Sequence, residues 1–151
     1  MENNSPKSPL RGRTLAAGLR GLALAVGLVM LAMHASASAG PVDDLLQEFR
    51  AQGAGNFTVA AGEQLWEREV IDPKTRQVRR CALCHTADLR KMGKHATTGK
   101  VIEPMAPSAN AERLTDVAKM KKWLARNCKW TLGRECTPQE KGDALTMIRS
   151  R

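Results

Sequence analysis

The pentapeptide Cys81-Ala82-Leu83-Cys84-His85 constrains the fold of this 151-residue chain more than any other feature. Two thiols at this spacing can each add across one vinyl group of a haem, and the adjacent histidine then becomes the proximal iron ligand. A thioredoxin-like dithiol has the same cysteine spacing but needs no histidine after it. A structural zinc site needs two further ligands, and Cys128 and Cys136 lie too far apart to form a zinc-ribbon pair. The motif therefore predicts one covalently bound haem c, tethered by Cys81 and Cys84 and ligated by His85.

The first 39 residues have the pattern of a cleaved secretion signal. Four basic residues lie among the first twenty, and the apolar run that follows, residues 22–33, is short for a membrane span. Small residues then offer cleavage after Ala37 or Ala39. An uncleaved anchor is the alternative. We expect a signal over residues 1–39 and a periplasmic, single-haem domain over residues 40–151, from a Gram-negative bacterium and not membrane-spanning after cleavage.

Charge and composition give weaker indications about partners. The formal charge is +9, and removal of the first 39 residues, with four basic and one acidic side chain, leaves +6. A surplus of this size is consistent with an acidic redox partner, but more often it serves solubility. The basic residues are scattered and aromatic residues make up only 3% of the chain. We expect no nucleic-acid binding.

Apolar periodicity predicts four helices and no strand in the mature chain. The helices cover residues 41–52, residues 58–70, a stretch from Thr115 or Asp116 to about Asn127, and a last segment after Thr137. Thr137-Pro138-Gln139-Glu140 forms a capping box with proline in the first turn. Residues 86–107 are rich in Gly, Lys, Thr and Pro and are typical of a loop. This order predicts an all-α, small class I cytochrome c fold wrapped around one covalent haem.

The ligand that faces His85 across the iron decides whether the protein carries electrons or binds a gas. Met105 is flanked by prolines where electron-transfer cytochromes place a thioether ligand, although such a methionine equally fits haem-pocket packing. His95 is a second candidate, but its Lys- and Thr-rich surroundings favour a solvent-exposed side chain. Asn127 shares the apolar face of its helix, where it either reaches the iron or caps the helix end. Periodicity alone favours the cap.

Two segments resemble the sphaeroides haem protein family of high-spin, oxygen-binding cytochromes c. They are Trp123-Leu124-Ala125-Arg126-Asn127-Cys128 and Gly133-Arg134-Glu135-Cys136-Thr137-Pro138. Further similarity at Gly62, Leu65, Gly99-Lys100 and residues 106–109 extends the resemblance over nearly the whole mature chain. It implies that Asn127 is the sixth haem ligand and that Cys128 and Cys136 form a disulfide, which an oxidising compartment permits. Met105 is a departure, since a member of the family carries leucine at this position.

The resemblance implies a redox-gated gas-binding cytochrome. A hard amide oxygen suits ferric iron better than ferrous iron, so reduction should release Asn127 and admit dioxygen, nitric oxide or carbon monoxide. The family implies electron supply by a di-haem cytochrome c and a membrane cytochrome b. Any turnover would then be nitric oxide oxidation or oxygen reduction. The alternatives are a simple electron carrier that uses His85 and Met105, and a structural or sensory haem domain.

Overall fold

The computed structural model describes residues 40–151, so the expected secretion signal over residues 1–39 lies outside the described residues. Five helices and four two-residue strands make up the described part. In chain order they are α1 (Pro41–Ala51), α2 (Val59–Glu67), β1 (Val70–Ile71), β2 (Val78–Arg79), α3 (Cys81–His85), β3 (Gly93–Lys94), β4 (Val101–Ile102), α4 (Val117–Leu132) and α5 (Pro138–Arg149). Two antiparallel hairpins, β1–β2 and β3–β4, join the helices. None of the helices described is long and apolar enough to cross a membrane.

The ends of α1 and α2 follow from local sequence. Pro41 opens α1, acidic residues occupy its first turn, and the chain turns at Gly53, whose φ of +91° suits glycine. At the start of α2, the Thr58 hydroxyl accepts a hydrogen bond from the Ala61 N–H at 3.1 Å, as an N-cap does. The helix ends at Glu67, three residues before the predicted end, because the chain then enters β1.

α2 and α5 pack closely against each other at Gly62. A Cβ on Gly62 would lie 2.5 Å from the Cβ of Met147 and closer still to the Asp143 carbonyl oxygen, so only glycine allows this approach. The Asp143 carboxylate is buried and accepts a hydrogen bond from the Thr58 N–H at 2.8 Å, which fixes the start of α2 against α5. The predicted capping box of α5 is present.

Two apolar clusters form the core. The first joins α1 to α4 and α5, and the second lies between α2, α5 and the segments on either side of β3 and β4. The buried members of the first are Val42, Leu45, Leu46, Phe49, Met120 and Leu145, and those of the second are Trp66, Leu89, Ala106, Met147 and Ile148. Leu114 packs against both clusters, which places the segment before α4 at their junction.

The expectation of no strand was wrong, because two short hairpins interrupt the connectors. Strands of two residues are too short to produce the alternating pattern that reveals a strand in a sequence. Asp72 organises the turn between β1 and β2: its Oδ1 accepts hydrogen bonds from the N–H groups of Lys74 and Thr75 at 2.9 and 2.7 Å. Arg79 pairs with the same carboxylate and donates to the Trp130 carbonyl oxygen at 2.8 Å, which joins this hairpin to α4.

The end of α4 is the most consequential difference from the sequence prediction. Its start is as predicted, with the Asp116 carboxylate accepting from the Lys119 N–H at 2.9 Å. The helix continues to Leu132, and Gly133 terminates it in a left-handed conformation with φ of +70°. Asn127 therefore lies inside α4, and its interpretation as a helix cap is wrong.

Replacement of Gly62 with alanine tests the close α2–α5 packing. Alanine normally favours a helix, but here its methyl group meets backbone that cannot move independently, so we expect a loss of about 1–3 kcal/mol in the free energy of unfolding. Urea titration of the purified protein measures it. Gln64→Ala, at an exposed position of the same helix, serves as the control and should change stability by less than about 0.5 kcal/mol. A stabilised Gly62→Ala variant would contradict the packing.

Candidate haem site

One cavity of about 730 Å³ brings the predicted haem-binding residues together. Cys81, Cys84 and His85 line it from α3, Asn127 from α4, and Met105 from the segment after β4. Its size lies within the range of about 300–1,000 Å³ that is common for small-molecule and cofactor sites. Trp123 is 45% exposed and also lines this cavity, so the exposed indole belongs to the site.

The two cysteines of α3 are free and lie at the cavity wall. Cys84 is buried, and its sulfur accepts a hydrogen bond from the Ala96 N–H at 3.3 Å. Burial raises the pKa of the Cys81 thiol to about 11, against the opposing effect of a hydrogen bond with Thr131. Cys81 is therefore a neutral thiol at physiological pH, and both sulfurs remain available for thioether bonds.

His85 is held as a neutral imidazole. Burial lowers its pKa to about 4, and electrostatic interactions with Arg113 and His95 act in the same direction. Its Nδ1 is buried without a hydrogen-bond partner among the described residues. Neutral imidazole is the form that binds metals.

Trp66 and Thr86 fix the motif in place. The Trp66 ring lies 5.6 Å from the His85 ring, centroid to centroid, and its Nε1–H donates to the Thr86 carbonyl oxygen at 2.9 Å. Thr86 has a φ of +64°, which is unusual for a β-branched residue. Its N–H donates to the Ala82 carbonyl oxygen at 2.9 Å, which closes the turn directly after His85.

These side chains fit a covalent haem. Two unpaired thiols and a neutral imidazole come from one short helix, and all three border the same cavity. The thiols would form the thioether tethers and His85 would supply the proximal nitrogen. β3 supports this helix closely, because a Cβ on Gly93 would overlap the Cys84 carbonyl oxygen.

Asn127 combines three properties that matter for a ligand. It lies in the interior of α4, it is half-buried, and it lines the cavity that His85 also lines. Within residues 40–151 its side-chain amide forms no hydrogen bond, so the amide is free to bind a group inside the cavity. Thr131, one helical turn further on, lines the same cavity. If Gly133 is taken as the end of the helix, Thr131 lies within α4, four residues after Asn127 and on the same side of the helix. Gly133 is thus the sequence signal that could have identified Thr131 as a residue of the cavity wall.

The Cys128–Cys136 disulfide adjoins Asn127. Its Cα atoms are 5.5 Å apart, and both cysteines are buried and line the cavity. The bridge joins α4, one turn before its end, to the segment that leads into α5. It therefore anchors the part of α4 that carries Asn127, as the family resemblance implied.

His95 departs from its expected position. It was predicted to be solvent-exposed, but it is half-buried and lines the cavity. Its Nδ1 accepts hydrogen bonds from the N–H groups of Thr97 and Thr98, both at 3.2 Å, within the turn between β3 and β4. The pairing of β3 with β4 on either side of this turn folds the polar loop back onto the cavity. The polar composition of the loop does not predict this pairing.

Comparisons with known proteins agree with this geometry. Oxidised SHP, described as an oxygen binding cytochrome c, superposes with a TM-score of 0.65 at 36% identity, over 73% of this chain and 96% of that one. Oxidised cytochrome c'' from Methylophilus methylotrophus gives 0.64 at 28% identity, over 72% and 92%. The cytochrome c-type protein SHP of Cereibacter sphaeroides is 50% identical over 68 residues, 45% of this chain and 52% of that protein, so the alignment spans about half of it.

The fold and the site define a small class I cytochrome c with one covalent haem, which confirms the fold class and the cofactor predicted from the sequence. The family described as a domain of unknown function, DUF1924, matches residues 52–148. The chain belongs to this family, and its resemblance to the sphaeroides haem proteins is confirmed.

Removal of the disulfide tests its contribution to stability. For the double variant Cys128→Ala/Cys136→Ala we expect the free energy of unfolding to fall by about 2–3 kcal/mol, because a short closed loop in the unfolded chain is lost. Denaturant titration of the haem-loaded protein measures the change. Reductant should lower the stability of the parent protein to that of the variant and leave the variant unaffected. Equal stability of parent and variant would contradict the prediction.

Proposed function

We propose that this protein is a periplasmic, high-spin c-type cytochrome that binds dioxygen or nitric oxide at a position that Asn127 vacates on reduction. The observation that carries the proposal is the location of Asn127. It lies inside a helix, borders the cavity that contains His85, and has no hydrogen-bond partner for its amide within the described residues. A ligand role accounts for an amide in that position better than a cap does.

The chemistry of the two side chains explains the redox gate. A bound haem supplies an iron that exchanges one electron and can bind diatomic gases. His85 contributes a neutral imidazole, which remains a good ligand in both oxidation states. Asn127 would contribute a hard, neutral oxygen, whose affinity for the iron would fall when the metal becomes softer on reduction. Asn127 would therefore be the ligand that a gas replaces.

The surroundings of Asn127 suit a ligand that moves without unfolding its helix. The disulfide at Cys128 holds the backbone, so displacement is confined to the Asn127 side chain. Trp123 lies one turn earlier on α4 and also borders the cavity, with the Arg126 guanidinium 5.1 Å from its ring centre. These two side chains limit the space that a gas would occupy.

Met105 supports the competing function, a His–Met electron carrier, because it lines the same cavity. Its contacts favour a packing role. It packs against the cluster that contains Trp66, the residue whose ring lies beside His85. The N–H groups of Met105 and Ala106 both donate to the Leu89 carbonyl oxygen at 2.9 Å, which ties this segment to the chain that follows the haem motif. We therefore assign Met105 to the His85 side of the cavity.

The relatives support the wider proposal by their descriptions. SHP is described as an oxygen binding cytochrome c, and one structure of cytochrome c'' addresses haem-ligand detachment. We extend both properties to this chain. We also propose that a di-haem cytochrome c and a membrane cytochrome b supply electrons, and that any turnover is nitric oxide oxidation or oxygen reduction.

Replacement of Asn127 with alanine tests the proposal. Loss of the weak distal ligand should alter the ferric visible spectrum and raise the rate of nitric oxide binding to the ferric protein at least tenfold, because no protein ligand has to leave first. Stopped-flow absorbance measures the rate. Met105→Leu is the matched control at another cavity position and should retain the parent spectrum and rate.

The two variants also separate the competing functions. If Met105→Leu converts the spectrum and Asn127→Ala leaves both spectrum and rate unchanged, the electron-carrier alternative is correct and the assignment of Asn127 fails.

A further inference from the structure

Arg113 places a positive charge at the haem cavity without an acidic partner. Of the other basic residues of the cavity wall, Arg80 pairs with Glu69 at 3.2 Å and Lys129 with Glu135 at 3.0 Å. Lys100, Lys119 and Arg126 also have no acidic partner among the described residues, but all three are exposed. Arg113 is half-buried, and no ion pair joins it to any acid within residues 40–151. A half-buried positive charge of this kind is stabilised when a counter-charge meets it.

The guanidinium is already oriented. Its Nε donates to the Pro104 carbonyl oxygen at 2.7 Å and one terminal nitrogen donates to the Glu103 carbonyl oxygen at 2.8 Å. These bonds use two of the five N–H groups of an arginine. The other three have no acceptor among the described residues, so the side chain is fixed in direction and still able to donate.

The backbone next to Arg113 is held as firmly. Leu114 has a φ of +62°, a conformation that a leucine rarely adopts. Its side chain packs against both core clusters, and this packing offsets the local strain. Arg113 is thereby kept at the wall of the cavity that His85 also lines.

We propose that Arg113 binds a propionate carboxylate of the haem. A planar guanidinium with free N–H groups matches a carboxylate in shape and charge, which a lysine matches less well. The acidic side chains that line the cavity, Glu112 and Asp116, form no ion pair with Arg113. The carboxylate that Arg113 binds is therefore one that the haem itself would bring into the cavity. The inference rests on the covalent haem and is independent of the role proposed for Asn127.

Two measurements on the haem-loaded protein test the contact. Arg113→Met should shift the propionate bending band of the resonance Raman spectrum, because the carboxylate loses its donors. It should also lower the reduction potential, because a positive charge near the iron favours the reduced state. Lys119→Met, which removes an exposed positive charge from the same cavity wall, is the control and should leave the Raman band unchanged.

The conservative variant Arg113→Lys keeps the test decisive if Arg113→Met folds poorly. Arg113→Lys should leave the reduction potential close to that of the parent protein, because the positive charge is kept. It should still shift the propionate band, because the planar guanidinium is lost. If the band is unchanged in both variants, Arg113 does not bind the propionate, and its role is limited to holding residues 103–104. A fall in stability without a spectral change would be the signature of that structural role.

Discussion

The arrangement of the haem site depends on the contact between Trp66 and the segment that carries His85. The indole ring lies beside the imidazole, and its N–H donates to the Thr86 carbonyl oxygen, so α2 fixes His85 directly. α2 is in turn fixed to α5 by the glycine contact at Gly62. The short helix α3 could not hold its position through its own five residues, and it takes its rigidity from this chain of contacts.

His85 must be held rigidly, whereas the side chain of the ligand proposed on α4, Asn127, must be able to move away. A displaceable ligand must have a fixed backbone and a side chain that is free to leave. Asn127 meets both conditions, because the disulfide and the interior of a sixteen-residue helix hold its backbone while its amide has no partner within residues 40–151. In the function proposed above, a firmly held His85 would act together with a weakly held Asn127, and ligand softness would convert that difference into a response to the redox state.

Much of this architecture could be predicted from local sequence signals. The haem motif, the capping box at Thr137 and the apolar face of α4 each have a pattern that acts over a few residues. The sequence pattern predicts an end of α4 near Asn127, because asparagine often caps a helix, whereas in the structure Gly133 adopts the left-handed conformation that ends it. Asn127 as a ligand came from the family resemblance, since periodicity favoured the cap.

The remaining features have no local signal. The hairpins are two residues per strand, so no alternation marks them, and the fold that turns His95 inward depends on β3 meeting β4. Arg113 lies in an irregular segment, and its relation to the cavity arises from bonds to Glu103 and Pro104 across a tertiary contact. Such residues are brought together by chain topology and become visible only in the structure.

The visible spectrum of the purified protein, ferric and then dithionite-reduced, before and after carbon monoxide, tests the central claim most directly. The account predicts high-spin reduced iron whose spectrum shifts promptly with carbon monoxide, because the distal position opens on reduction. A low-spin reduced spectrum that carbon monoxide leaves unchanged would contradict it and would identify the protein as an electron carrier with two strong axial ligands.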